Sequence, residues 1–102
     1  MALNSKQRSG LRAIGTELSP IVIVGKGGIN DNLVEQLDQA LTARELVKTR
    51  VLPHTEHEPR NIAAALSRDV GAEVVQVIGR NILFFRPPQN KPSIYADILN
   101  EA

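Results

Sequence analysis

The chain has 102 residues, of which 42% are hydrophobic, so it has room for one domain with a modest core. The absence of cysteine excludes disulfide bonds and thiolate metal sites, and it fits a reducing compartment. No apolar run approaches the length of a membrane span or of a signal sequence, and a net charge of +1 does not by itself indicate a partner. We therefore expect a soluble, cytoplasmic protein.

The first predicted helix begins near Ser5, which is suited to cap it. Arg8 and Arg12 lie four residues apart and are expected on one exposed side of this helix. The helix is expected to end before Pro20, because the residue preceding a proline is pushed out of the helical region. Its apolar stripe consists of Leu11, Ile14 and Leu18.

A run of β-branched residues at 21–24 predicts a buried strand that ends in a glycine-rich corner. The corner, called here the glycine loop, is Gly25-Lys26-Gly27-Gly28. Asn30 and Asp31 then supply the capping chemistry of a second helix. The junction brings bare backbone amides, a helix N-terminus and a lysine together, and all of these attract a phosphate group.

The second half of the chain continues with strands and one helix. In residues 43–52, apolar and polar side chains alternate as in a half-buried strand, with Lys48 and Arg50 on its solvent-exposed side. Residues 59–71 predict a third helix, with a proline in its first turn and a glycine at its end. Residues 73–86 predict a β-hairpin.

The order helix, strand, helix, strand, helix, strand, strand predicts an α/β two-layer sandwich. We expect a four-stranded mixed sheet with the helices packed on one face and with Lys48 and Arg50 on the open side. The domain is expected to span residues 1–87. Residues 88–102 are expected to form a C-terminal tail. This tail is expected to be extended or disordered, or else to carry a short docked helix.

Charge is distributed unevenly along the chain. The first 30 residues carry four basic side chains against one acidic side chain, whereas the second helix is acidic. This polarity indicates a basic face and an acidic face, although ordinary solvated surface charge is the alternative. The basic residues are Lys6, Arg8, Arg12 and Lys26, and the acidic residues of the second helix are Asp31, Glu35 and Asp38.

The glycine loop does not match two common nucleotide-binding motifs. The spacing of a Walker loop is absent, and a dinucleotide fingerprint would need glycine where the chain has Asn30. What remains is G-x-x-G between a strand and a helix, the pattern with which KH-type modules hold the backbone of single-stranded nucleic acid. A tight corner without further function is the other interpretation.

The sequence gives little evidence for a metal site or for a catalytic site. His54, Glu56, His57 and Glu58 lie in one loop, and no further strong ligand is evident, so a solvated turn is favoured over a zinc site. There is no cysteine nucleophile and no G-x-S-x-G elbow. We predict no metal, no cofactor and no enzymatic activity.

Four blocks in order resemble the CRM domain in its stand-alone bacterial YhbY-type form. They occupy residues 5–8, 20–29, 45–51 and 75–87, and the resemblance spans about residues 3–87. It implies an RNA-binding module with the fold of the C-terminal domain of bacterial translation initiation factor three, associated with precursors of the large ribosomal subunit. When the family's RNA-binding positions are matched to this sequence, the resemblance implies RNA contacts at two places. These are the glycine loop, Gly25, Lys26, Gly27 and Gly28, and the first-helix residues Lys6, Arg8 and Arg12.

The leading hypothesis is therefore a monomeric RNA-binding protein that contacts ribosomal RNA through phosphates. Lys26 and the loop amides would hold the backbone, the first-helix cations would extend the track, and Lys48 and Arg50 would add charge on the open side of the sheet. Because aromatic residues make up only 3% of the chain, shape and backbone should dominate recognition. The alternative is a protein-interaction module that docks through a surface such as the second helix.

Overall fold

The computed structural model describes residues 2–100, which form one four-stranded sheet and four helices. The strands lie in the order β1-β2-β4-β3, with β1 parallel to β2 and the other neighbours antiparallel. This arrangement confirms the predicted α/β fold with a mixed sheet. The elements are α1 (Ser5–Thr16), β1 (Val22–Val24), α2 (Asp31–Arg44), β2 (Leu46–Val51), α3 (Pro59–Val70), β3 (Glu73–Ile78), β4 (Asn81–Phe85) and α4 (Ala96–Leu99).

The helix ends follow local capping chemistry. Asn30 caps α2 as predicted, with its side chain accepting a hydrogen bond from the N–H of Leu33 at 2.8 Å. The cap of α1 is Asn4 rather than Ser5, because the Asn4 side chain and Gln7 form a reciprocal capping box. The predicted cap is thus one residue late, although α1 begins at Ser5.

Helices cover both faces of the sheet. Adjacent strand residues point to opposite faces, and Phe84 and Phe85 are both fully buried. Helices α2 and α3 pack over the face that holds Phe84, whereas α1 and α4 pack over the face that holds Phe85. The structure therefore differs from the expectation of helices on one face only, because residues 82–85 are apolar at every position and can bury both sides of β4.

Gly15 sets how closely α1 approaches the sheet. It is buried, and a Cβ atom built there would collide with the side chain of Leu83 on β4. A side chain at this position would push the end of α1 away from the sheet. The glycine thus fixes the position of α1 beside Lys48 and Asn81, which neighbour Leu83 on the same face.

One end of the α1 face stays uncovered, and we call it the open end of the sheet. A row of paired residues crosses all four strands there: Ile23, Arg50, Asn81 and Ile78. Ile23 is 46% exposed and Ile78 is 59% exposed, so no helix shields this row. Strand β1 leads from this row directly into the glycine loop.

Residues 93–99 lie on the other end of the same face, whereas residues 87–91 lie near the ends of α2 and α3. Residues 101 and 102 lie outside the described part of the chain. The anchor is Glu45, a carboxylate that is only 4% exposed. One of its oxygens accepts a hydrogen bond from the hydroxyl of Ser93, with an oxygen–oxygen distance of 2.5 Å. The other accepts a hydrogen bond from the N–H of Ile94, with a nitrogen–oxygen distance of 3.1 Å. These two charge-assisted bonds fasten the segment to the start of β2.

Apolar contacts complete the attachment of this segment. The ring of Tyr95 meets Phe85 edge to face, with centroids 6.2 Å apart, and a Cβ on Gly10 of α1 would lie 2.8 Å from Ile98 of α4. Burial raises the pKa of Tyr95, and the carboxylate of Glu45 raises it further, so the phenol stays neutral here. The end of the sheet opposite the glycine loop is therefore closed.

Candidate functional site

The glycine loop is a tight turn whose exposed tip has two backbone amides without an acceptor in the described part of the chain. The N–H of Gly28 donates to the carbonyl of Gly25 at 3.0 Å, and Gly28 has a φ of 72°, which favours glycine. Lys26 and Gly27 form the exposed tip, and within residues 2–100 nothing accepts a hydrogen bond from either of their N–H groups. Only part of the loop can therefore hold an anion, because the Gly28 amide is already used in the turn.

The loop that follows β2 supports the base of the glycine loop. The hydroxyl of Thr55 lies 3.2 Å from the carbonyl oxygen of Val24 and 3.0 Å from that of Gly25, and it can donate to one of them at a time. The N–H of Leu52 also donates to the Val24 carbonyl at 3.0 Å. Sequence reasoning missed Thr55, and only the fold reveals this contact.

Arg80 adds a cation at the same end of the sheet. Its Nε donates to the carbonyl of Val51 at 2.8 Å, and one terminal nitrogen donates to the carbonyl of Leu52 at 2.6 Å. The side chain thereby ties the β3–β4 turn to the end of β2. Its charge contributes to the local field, but its donors are partly used for structure.

The strand register brings Lys48 and Arg50 to the open end. Arg50 pairs with Ile23 on β1, three residues before Lys26, and Lys48 pairs with Leu83 on β4. Both cations therefore lie on the α1 face, with Arg50 exposed and Lys48 half-buried. The structure thus places the two strand cations on the end of the sheet that leads into the glycine loop.

The first-helix cations are arranged differently. Arg8 is half-buried, and one of its terminal nitrogens donates to the carbonyls of Val74 at 2.6 Å and of Val75 at 3.1 Å. The expectation of an exposed Arg8 is wrong, because a bulge in β3 leaves carbonyls on the sheet edge that this guanidinium satisfies. Arg12, one turn later, is half-buried as well.

Lys6 is exposed, but it lies far from the glycine loop along the sheet. The neighbouring Gln7 donates its side-chain amide to the carbonyl of Leu99 at 2.7 Å, which places the start of α1 beside α4. Helix α4 packs near Phe85, whereas the glycine loop follows the other end of the strands. The structure does not bring Lys6 together with Lys26.

The acidic side chains of α2 lie across the sheet from this basic region. Asp31, Glu35 and Asp38 are exposed on a helix that packs on the opposite face. Asp38 also pairs with Arg86 at 2.6 Å. The sheet therefore separates these three carboxylates from Lys48 and Arg50.

Two other kinds of site find no support. In the described part of the chain, no three His, Cys, Asp or Glu side chains are grouped so that they could hold a metal ion, and this includes the loop with His54 and His57. None of the helices within residues 2–100 has the length and apolar character needed to cross a bilayer.

Comparisons with known proteins agree with this geometry. Residues 3–86 match a family model described as the CRS1 / YhbY (CRM) domain. The chain is 39% identical over 92 residues to the Probable RNA-binding protein YqeI of Bacillus subtilis, covering 90% of this chain and 96% of that protein. It is 36% identical over 87 residues to a Probable RNA-binding protein of Methanocaldococcus jannaschii, covering 83% of this chain and 64% of that protein.

The fold also has a solved counterpart. The solution structure of a hypothetical protein from Staphylococcus aureus superposes with a TM-score of 0.75 at 40% sequence identity. The match covers 88% of this chain and 95% of the other.

Proposed function

Because the chain belongs to the CRS1 / YhbY (CRM) domain family, we propose that it is an RNA-binding protein whose glycine loop holds the phosphate backbone. The observation that carries the proposal is the exposed tip of that loop, where the free N–H groups of Lys26 and Gly27 accompany a lysine side chain. Adjacent free amides and a cation form a good receptor for a phosphate oxygen. Arg50 and Lys48 extend the positive region onto the open end of the sheet.

Recognition in this proposal depends on the RNA backbone and its shape. Phe84 and Phe85 are fully buried, and Tyr95 packs on Phe85 at the closed end. The chain has no tryptophan, and within residues 2–100 no Phe or Tyr ring lies at the open end to stack on bases. Phosphate contacts fix position and carry little sequence information, so we expect modest sequence specificity.

The cellular role follows from the family resemblance. We propose that the RNA is ribosomal RNA in precursors of the large subunit, and that the protein acts there as a cytoplasmic monomer. The relatives' names support RNA as the partner. Cross-linking in cells, followed by sequencing of the attached RNA, would test the identity of the RNA.

Replacing Lys26 by alanine tests the proposed contact. We expect affinity to fall by a similar factor for RNAs of different sequence, because a phosphate contact is lost. The slope of log K against log salt should decrease by roughly one. Fluorescence-anisotropy titrations between low and physiological salt would measure both quantities.

Gly27→Ala provides a second variant that does not disturb the protein itself. A Cβ at Gly27 meets no atom within 4 Å, so the fold should tolerate it. The added methyl group would stand between the loop and a close-lying phosphate, so RNA affinity should fall. Unchanged affinity and salt slope in both variants would remove the loop from the mechanism.

A pull-down from nuclease-treated lysate addresses the other candidate, a protein-docking module. Partners that disappear with the RNA support the proposal. Partners that remain after nuclease treatment would favour protein docking instead.

A further inference from the structure

A small cavity lies on the open end of the sheet, where α1 ends. Its volume is about 170 Å³, and its lining includes Thr16, Lys48, Gln76, Ile78, Asn81 and Leu83. Three strands contribute to it: β2 supplies the lysine, and β3 and β4 supply the two amides. The cavity is therefore built on the rigid part of the fold.

The polar groups of the cavity are not used within the protein. In the described part of the chain, the side-chain amides of Gln76 and Asn81 form no hydrogen bond, and the Oδ1 atom of Asn81 is buried without a donor. A buried polar atom without a partner costs free energy. The fold thus keeps two amides at this cavity that its own hydrogen bonds do not require.

Charge and shape restrict what the cavity can receive. Among the described residues that line it, Lys48 alone is charged, and Arg50 lies beside Asn81 on the neighbouring strand. The apolar side chains of Ile78 and Leu83 complete the lining. Such a cavity suits a flat, partly apolar group attached to an anionic chain.

From these features we infer that the cavity receives one unpaired base of the bound RNA, an inference that rests on the proposed function. Cavities of about 150 Å³ hold a benzene-sized group, so about 170 Å³ is enough for a single ring of a base. The amide of Gln76 can donate to a base edge and accept from it, and the Nδ2 group of Asn81 can donate. Bases inside an RNA duplex are shielded from such contacts, whereas splayed-out bases are accessible.

Continuity with the glycine loop favours RNA over an acidic peptide. The cavity shares its face and its end of the sheet with Arg50, and β1 leads from Ile23 of the same row to Lys26. An RNA chain held at the loop tip can thus continue across the open end. The protein would then prefer RNA that contains unpaired nucleotides next to a backbone segment.

Gln76→Leu and Asn81→Leu test this inference, because they remove the amides while keeping similar side-chain volume. Two RNAs of equal length serve as probes: a stem with an unpaired loop and a continuous duplex. We expect each variant to bind the looped RNA about tenfold more weakly, the upper range for one lost hydrogen bond. Affinity for the duplex and the salt slope should not change, since no phosphate contact is lost.

Gln36→Leu is the matched control, because Gln36 is an exposed amide on α2, across the sheet. Asn81→Leu removes a buried acceptor that has no partner, so it should not lower the midpoint of thermal unfolding. If Asn81→Leu fails to fold, Gln76→Leu carries the test alone.

Equal losses for both RNAs, or no loss for either, would overturn the inference. Competition of a glutamate-rich decapeptide with the looped RNA, abolished by Gln76→Leu, would overturn it in favour of a protein ligand. Failure of the proposed function is distinguishable, because then Lys26→Ala would leave the binding of both RNAs unchanged.

Discussion

Replacing Glu45 by alanine is expected to lower the free energy of unfolding by about 2–4 kcal/mol, because it removes two charge-assisted hydrogen bonds to part-buried donors of Ser93 and Ile94. Residues 87–99 should also become accessible to proteases. Urea unfolding and limited proteolysis would measure the two effects. Glu56, exposed in a loop, is the control: Glu56→Ala should change stability by less than about 0.5 kcal/mol.

A glycine at the same position separates two contributions of Glu45. Its φ is 65°, a region that costs a residue with a Cβ about 1–2 kcal/mol. Glu45→Gly loses the same hydrogen bonds but relieves this strain, so it should be more stable than Glu45→Ala. Wild-type stability and protease resistance in Glu45→Ala would show that the carboxylate does not anchor the tail.

Reversing two charges at the open end should weaken RNA binding about 100-fold at low salt. The double variant Lys26→Glu/Arg50→Glu loses two phosphate contacts, each contributing about tenfold at 0.1 M salt. It also places carboxylates against the RNA backbone. Anisotropy titrations at several salt concentrations would measure the loss of affinity and a slope reduced by roughly two.

The control carries the same change in net charge at a different place. Arg44 ends α2 at the closed end of the sheet, and Lys91 lies in the tail, and both are exposed. Arg44→Glu/Lys91→Glu should reduce affinity only a few fold through long-range charge. Equal losses in the two double variants would mean that RNA binding depends on net charge and not on the glycine loop.

Short-range signals in the sequence predict the parts of the fold that local chemistry decides. The Asn30 cap, the proline at the start of α3 and the left-handed Gly71 at its end all depend on neighbouring residues. The turn at the glycine loop is local as well, since one hydrogen bond between Gly25 and Gly28 closes it. These features needed no knowledge of distant contacts.

Contacts between distant segments could not be predicted in this way. Arg8 meets the carbonyls of Val74 and Val75 only because β3 is bulged there. Burial of Glu45 depends on a tail nearly 50 residues away. One signal was available: four consecutive apolar residues at 82–85 indicate a strand that is buried on both faces.

The structure also changes the shape of the candidate RNA interface. Sequence patterns extend it from the glycine loop along the first helix through Lys6 and Arg8. In the structure, Arg8 is engaged by β3 and Lys6 lies beside α4. We therefore centre the interface on Lys26, Arg50 and the open end of the sheet, and the first helix contributes mainly its packing.

An NMR titration would show where RNA contacts the protein. Unlabelled RNA with an unpaired loop would be added to ¹⁵N-labelled protein, and the backbone amide shifts would be followed. If RNA binds at the glycine loop, the largest changes should occur at Lys26 and Gly27, with smaller changes along the row from Ile23 to Ile78. Unchanged loop amides, together with shifts confined to α2 or to residues 87–100, would contradict binding at this loop.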